Sequence, residues 1–268
     1  MHFERIWAMS DLHGSSLPIK NFYNRNVDKI KFSAETDLII LLGDVGANYF
    51  QNHRDRDFKK KLSSFPFTYF CIRGNHEMRA SVCANQNRGD WEEKPIFNNI
   101  TLIEKQYPKI LYALDDVAIY NIEEYKTLII PGAYSVDKEY RINHGWSWFP
   151  DEQLSELEKN IGRIRLEQSD YNFDLVLSHT CPIAYEPRDL FLPQIDQSKV
   201  DKSMEFYLGE IEYQISYKLW LWGHFHQYRV YPFYNNNKHG RSIMLSAGEE
   251  AINVKEWIQD LEGYHQRY

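Results

Sequence analysis

Long apolar runs are missing from this chain of 268 residues. No stretch approaches the ~20 consecutive apolar residues that a helical membrane span needs, so no membrane partner is expected. Cysteine is scarce. Cys71, Cys83 and Cys181 are odd in number and lack zinc-ribbon spacing. That excludes a disulfide-built scaffold and suits reduced thiols in a cytoplasm, where they would pack rather than react. Basic charge is not in excess either: the net charge is -7 and the pI near 5.8. A protein that coats nucleic acid or anionic lipid is thereby disfavoured, although a local basic pocket is not. A long nucleic-acid substrate is disfavoured on the same ground, while a small nucleotide stays open. There is no Gly/Ser linker, low-complexity tract or internal repeat, no phosphate-cradling P-loop and no Ser-His-Asp arrangement. Residues 1–9 carry Glu4 and Arg5 and run straight into a motif, so no signal peptide is expected and a cytoplasmic location is. Nothing in these features speaks to oligomeric state.

What remains is an ordinary globular composition, 43% hydrophobic and 26% charged. Short, nearly continuous apolar runs stand at Ile6-Trp7-Ala8-Met9, Leu38 to Leu42, Tyr69-Phe70-Cys71-Ile72, Leu175-Val176-Leu177 and Leu219 to Trp222. Strands buried on both faces read this way, and helices are expected to cover them on each side. Leu154, Leu157, Ile161 and Ile164 form one helical stripe. Met204, Tyr207, Leu208, Ile211 and Ile215 form another, with Ser203 as a candidate N-cap. A basic amphipathic stretch around 56–63 is a weaker helix candidate. Between 108 and 131, Ile110 to Leu114, Val117 to Tyr120 and Leu128 to Ile130 read as further strands. Tyr228 to Tyr234 and Ile243 to Leu245 add two more around an Asn-rich turn at 235–237. A helix-flanked sheet joined by antiparallel strands makes an α/β two-sheet sandwich. One domain over 1–268 is expected, with core motifs in 11–226 and C-terminal strands and tail in 228–268, because the polar motifs are spread so far apart that only one fold could unite them.

Those motifs are five: Asp11-Leu12-His13-Gly14, Gly43-Asp44, Gly74-Asn75-His76-Glu77, Ser178-His179 and Gly223-His224-Phe225-His226. Each follows a hydrophobic run directly, and functional groups in α/β sheets collect beyond the carboxyl ends of strands. Five of the ten histidines fall in these places. A lone loop histidine is most often just a hydrogen-bonded one, but five beside Asp11, Asp44 and Asn75 are hard to explain without metal. Imidazole, amide and carboxylate without thiolate suit Mn, Fe or Zn better than Ca or Mg.

In these blocks, and in their order, the chain resembles the calcineurin-like metallophosphoesterase superfamily. The resemblance extends from Asp11 to His226, over most of the chain, and implies an αββα sandwich carrying two divalent metal ions, with Mn the first choice. It implies that Asp11, His13 and His226 hold one metal, that Asn75, His179 and His224 hold the other, and that Asp44 bridges them. It further implies hydrolysis of a phosphate ester by a metal-bridging hydroxide, with His76 as general acid over the leaving group. Two carboxylates against roughly +4 from two metals leave a site that attracts a phosphate anion.

Arg73-Gly74-Asn75-His76-Glu77 is especially close to the block of the phosphoprotein Ser/Thr phosphatases. Those enzymes, however, carry Asp-Arg-Gly after Gly-Asp, where this chain has Val45-Gly46-Ala47-Asn48. That departure argues against a standard protein phosphatase. Arg141, in a stretch running from Gly132 to Phe149 that also holds Lys138 and several aromatic rings, is the candidate for phosphate and base contacts. Asn48 is a second candidate substrate contact, set against a plain turn-forming role. Residues 182–203, with Pro182, Pro187 and Pro193, read as a long irregular loop able to shape a pocket. A phosphatase is the favoured reading and a nucleotide or nucleic-acid phosphodiesterase the alternative. A non-catalytic metal-dependent scaffold is remote, because His76 and every ligand are retained.

Overall fold

The computed structural model describes residues 2–231, 239–248 and 251–265. In chain order the first half runs β1 (Arg5–Met9), α1 (Leu17–Asn26), β2 (Asp37–Leu42), α2 (His53–Ser63), β3 (Thr68–Ile72), α3 (Ala80–Asn85), β4 (Trp91–Ile96), β5 (Asn99–Glu104) and β6 (Ile110–Tyr112). The second runs β7 (Ala118–Ile122), β8 (Tyr125–Ile130), α4 (Lys138–Asn143), α5 (Glu156–Glu167), β9 (Asn172–Ser178), α6 (Ser203–Gln214), β10 (Ser216–Trp222), β11 (Arg229–Tyr231), β12 (His239–Met244), β13 (Ile252–Asn253) and α7 (Val254–His265). One sheet has the order β13-β1-β2-β3-β6-β5-β4 and the other β11-β12-β10-β9-β8-β7. All five apolar runs became strands in parallel pairings: β1 with β2, β2 with β3, and β9 with β10.

Period-two burial explains why those runs are continuous. Ile6, Ala8, Leu38, Ile40 and Leu42 face Leu175, Leu177, Leu219 and Leu221 of the other sheet. The alternate residues Trp7, Met9, Ile39 and Leu41 pack on Ile19 and Phe22 of α1 and Phe58 and Leu62 of α2. On the far side Val176, Trp220 and Trp222 meet Leu166 of α5 and Met204, Tyr207 and Leu208 of α6. Helices on each side of these central strands were expected, but helices cover one face only, and the other face is closed by the opposite sheet. The fold is an α/β sandwich of mixed sheets flanked by helices. Among the described residues, no helix is long and apolar enough to cross a membrane.

Some local expectations change. The stripe 154–164 faces inward only at its start: Leu154 is buried, but Leu157 is 71% and Ile164 50% exposed. Instead α5 buries Lys159, Gly162 and Leu166. A Cβ at Gly162 would lie 2.2 Å from the Tyr207 hydroxyl and 2.8 Å from Val117, so close approach at this glycine sets the rotation of the helix. The start of α6 is held by Asp201, whose Oδ1 accepts from the Ser203 amide at 2.9 Å, while Ser203 is the first helical residue rather than its cap. The β4–β5 hairpin at the sheet edge, α1 and α4 were not anticipated from the sequence. Strands β11 and β12 pair antiparallel as expected, and the Asn-rich turn at 235–237 lies outside the described residues. All three cysteines are free and buried.

Candidate dinuclear metal centre

The five polar motifs sit on the loops that leave β1, β2, β3, β9 and β10 at their carboxyl ends. The loops are stitched together by their own backbones. The Asp11 amide donates to Gly43 O (3.2 Å), His13 to Asp44 O (2.7 Å) and Gly223 to His179 O (3.0 Å). Side chains add further ties: Asp44 Oδ1 accepts from the His76 amide at 2.8 Å, and Asp11 Oδ2 from the His224 amide at 3.0 Å. Left-handed backbone concentrates here, at Asp11 (φ 55°), His13 (46°), Asp44 (49°), His224 (69°) and His226 (57°). Each such non-glycine residue costs about 1–3 kcal/mol, and strain of this kind persists where function needs a side chain aimed. Two glycines give the motifs room. Gly43, at φ 90°, lies so close to His179 that a Cβ would stand 2.2 Å from Nδ1, and a Cβ on Gly74 would stand 2.2 Å from Asp44 Oδ1.

The ligand-type atoms converge on Asp11 and Asp44, both buried. His226 Nε2 lies 3.4 Å from Asp11 Oδ1 and 3.1 Å from His13 Nε2. His179 Nε2 is 3.4 Å from Asp44 Oδ1, His76 Nε2 3.7 Å and His13 Nε2 4.0 Å from Asp44 Oδ2. Three triples, Asp11-His13-His226, His13-Asp44-His76 and Asp11-Asp44-His179, each hold their ligand atoms within 4.8 Å of one another. These residues are capable of coordinating metal.

Hydrogen bonding shows why a cation fits. Leu42 O can only accept, so His179 Nδ1 donates to it (2.7 Å) and Nε2 is turned inward. There Nε2 meets Asn75 Oδ1 at 2.9 Å as well as the Asp44 carboxylate. The Asn75 amide is oriented by its other end, since Nδ2 donates to Ser135 Oγ at 2.9 Å. Three atoms that accept therefore face one another, and only a proton or a metal ion reconciles them. On the Asp11 side, Oδ1 is buried and has no hydrogen-bond partner among the described residues. Although burial pushes down the His179 imidazole, the Asp44 carboxylate outweighs it and raises the group to about 9. Burial raises the Asp44 carboxyl, yet His179, His76 and His13 hold it well below the usual range. The fold builds in a place for positive charge.

His224 stands beside His179, ring centroids 5.1 Å apart, and lines the same cleft, but it belongs to none of the three triples. Burial, aided by His179, pushes it down to about 3, so it is neutral, the form in which imidazole ligates metal. Burial likewise lowers His76 to about 4, with Asp44 opposing.

The calcineurin-like phosphoesterase family model matches residues 4–228. The chain belongs to this family. Comparison with curated proteins yields no match. Among solved structures, TT1561 of Thermus thermophilus is 14% identical over 95% of this chain and 96% of its own, with a TM-score of 0.51. The phosphopantetheinyl hydrolase PptH from Mycobacterium tuberculosis is 17% identical over 91% of this chain and 90% of its own, with a TM-score of 0.48. The first of these likenesses is one of fold alone.

The two substrate candidates part ways in this calcineurin-like cleft. Arg141, on α4, is fully buried and lines a cavity of 220 Å³ together with His13, His76, Tyr49 and Trp146. Its Nε donates to Asp137 Oδ2 at 2.8 Å, while Nη1 and Nη2 have no hydrogen-bond partner among the described residues. Asn48 is not brought to the metal-lined cleft. It is buried, its Oδ1 accepts from Lys59 Nζ at 3.4 Å, and its carbonyl accepts from the Met78 amide, a turn-holding role. Elsewhere in the loop 132–149, Lys138 lies over Trp148, and Tyr140 stacks on His144.

Sequence reasoning missed three supporting residues. Glu152 takes the Ser135 hydroxyl (2.5 Å), the Ser135 amide (3.0 Å) and Trp148 Nε1 (2.9 Å), and so fixes the group that fixes Asn75. Ser135 lay in a stretch already singled out, but nothing in the sequence marked Glu152. Glu77 Oε1 accepts from the Gly46 and Ala47 amides and Oε2 from Gly74, clamping the second motif to the third.

Proposed function

We propose that the protein is a dinuclear-metal phosphoesterase acting on phosphomonoesters, with Mn the preferred metal and Fe or Zn as substitutes. The observation that carries this reading is the convergence of ligand atoms from five strand ends beside a fully buried guanidinium with two unpaired nitrogens among the described residues. Asp11, His13 and His226 would hold one ion and Asn75, His179 and His224 the other, with Asp44 shared. Two ions bound there supply Lewis acidity toward phosphoryl oxygens and acidify a water.

The chain's own residues do the rest. Arg141 grips non-bridging oxygens through Nη1 and Nη2, and such charge-assisted bonds suit a terminal phosphate dianion. His76 sits at the mouth, 24% of its side chain exposed, and donates its proton to the departing oxygen. A neutral imidazole must gain that proton first, and an arriving phosphate anion raises its pKa by direct attraction. His76 Nε2 also belongs to a ligand triple with His13 and Asp44, so its role is decided by whether metal content survives its replacement. The three buried thiols suit a reducing compartment, and we place the enzyme in the cytoplasm.

A second reading, a phosphodiesterase acting on a small nucleotide or similar diester, draws on a larger cavity that shares His13, His76 and Asp137 with the Arg141 cavity and offers room for another substituent. The test is steady-state hydrolysis of p-nitrophenyl phosphate beside bis-p-nitrophenyl phosphate, by metal-stripped protein with each divalent metal in turn. Turnover that needs metal and disappears in Asp44→Asn supports the enzyme, and the preferred ester divides the two readings. No turnover with either ester under any metal would overturn both.

A further inference from the structure

The metal-lined cleft does not end at the ligands. His13, Asp44, Asn75, His76, His224 and His226 form one side of a cavity of 350 Å³, within the size range of small-molecule pockets. The irregular loop 182–203 adds Leu190, Phe191, Leu192, Ile195 and Val200, and Phe225 of the fifth motif lines the cavity as well. Among the described residues, this wall is mainly apolar, with Glu186 and Gln197 beside the apolar side chains, and it offers no free cation. Its one lysine, Lys202, is held by both carboxylate oxygens of Glu186, at 2.9 and 3.0 Å, and lies 4.8 Å over the Phe191 ring. A nucleic-acid backbone would find no free cation to pair with here.

Of the polar side chains that also line this cavity, Tyr134, Asp137, Glu186, Gln197, Lys202 and Glu205, only Glu205 has a buried oxygen without a hydrogen-bond partner among the described residues. Glu205, on the first turn of α6, is 5% exposed. Its Oε1 accepts from Thr180 Oγ1 at 2.7 Å, and Oε2 is buried with no hydrogen-bond partner among the described residues. A buried carboxylate oxygen left unpaired costs about 1–3 kcal/mol or more, so a partner is expected whenever the cavity is filled.

We propose that this cavity binds the organic group of the substrate, and that this group is a compact, mainly apolar alcohol carrying one hydroxyl or amide that pairs with Glu205. The assignment rests on the phosphoesterase reading and narrows it. Phosphate lies at the metal ligands, the esterified carbon chain runs along Leu190, Phe191 and Ile195, and its single polar function meets Oε2. Specificity then comes from the 182–203 loop, not from the five motifs.

Calorimetry of the metal-loaded protein with a series of n-alkylphosphonates, methyl to hexyl, tests the apolar wall without requiring turnover. Affinity should rise by up to about fourfold per methylene, the worth of burying one CH₂. Ile195→Asp, in the half-buried loop, should flatten that slope. A hydroxyl placed at successive carbons of the hexyl chain should be tolerated at one position, and Glu205→Met should weaken that ligand about tenfold relative to its plain alkyl parent. Hydrolysis of the p-nitrophenyl esters is read on the same preparation. Activity together with affinity that stays constant from methyl to hexyl overturns the cavity assignment alone. An absence of activity with every metal overturns the phosphoesterase reading and the assignment with it.

Discussion

Ser135→Ala deletes one oxygen that touches no ligand atom of a metal and yet should weaken the metal centre. In the wild type, Ser135 Oγ accepts from Asn75 Nδ2 at 2.9 Å and donates to Glu152 Oε2 at 2.5 Å. Alanine leaves Glu152 partly satisfied, because the Trp148 indole and the Ser135 amide still donate to it. Asn75 Nδ2 has no such reserve. It becomes a buried donor without an acceptor, at a cost of about 1–3 kcal/mol. The amide can relieve this by flipping, which turns Nδ2 toward His179 and takes Oδ1 away from the place where a cation would be held. Loss of supporting hydrogen bonds of this kind typically weakens metal binding by about 10- to 100-fold. The assay is chelator competition for each of two metal equivalents, with circular dichroism to confirm folding. One equivalent should weaken by that factor and the other little, because Asp11, His13 and His226 do not depend on Ser135. Ser135→Thr, which keeps the hydroxyl, should recover affinity. Unchanged binding of both equivalents in Ser135→Ala would refute the claim that this chain of hydrogen bonds aims Asn75.

Three other outcomes are expected. His76→Asn should lower kcat by about 10²- to 10⁴-fold with metal content retained; a protein that loses an equivalent of metal instead would make His76 a ligand. Arg141→Met should raise the inhibition constant of inorganic phosphate by roughly 10- to 100-fold, the worth of a charge-assisted bond in a buried site, and equal inhibition would remove the arginine from the phosphate site. Away from the site, burial raises the Glu158 carboxyl, but hydrogen bonds from Arg79 and Ser155 win and hold it at about 2. A depressed carboxylate contributes stability that is present above its unfolded pKa, about 4.3, and lost as pH falls toward the folded value. Glu158→Gln should therefore flatten the decline of Tm across that acid window, and a parallel decline in both proteins would show that the pair adds nothing.

Legibility followed range. Strands β1, β2, β3, β9 and β10 announced themselves, because a sandwich buries both faces of a central strand and the runs Leu38 to Leu42 or Leu219 to Trp222 have no polar residue to betray a solvent side. The α5 stripe misled because its inward face is chosen by Gly162 against Tyr207 and Val117, a long-range contact with no signature in the hydrophobic period. The β4–β5 hairpin escaped because its outer strand is largely solvated, so Glu92, Glu93 and Lys94 break any apolar alternation.

The same division runs through the site. By itself the sequence determined which side chains could ligate a metal, since a ligand's chemistry is carried by its residue type and by the strand end that presents it. Tertiary structure alone decided what surrounds them. It turned Asn75 through Ser135 and Glu152, sank Arg141 beside His13 and His76, withdrew Asn48 to Lys59, and laid an apolar loop and Glu205 over the ligands. The hydrogen bonds among those contacts join residues from 11 to 60 positions apart in the chain. Their energies come from burial and hydrogen-bond geometry, which exist only once the chain has closed on itself.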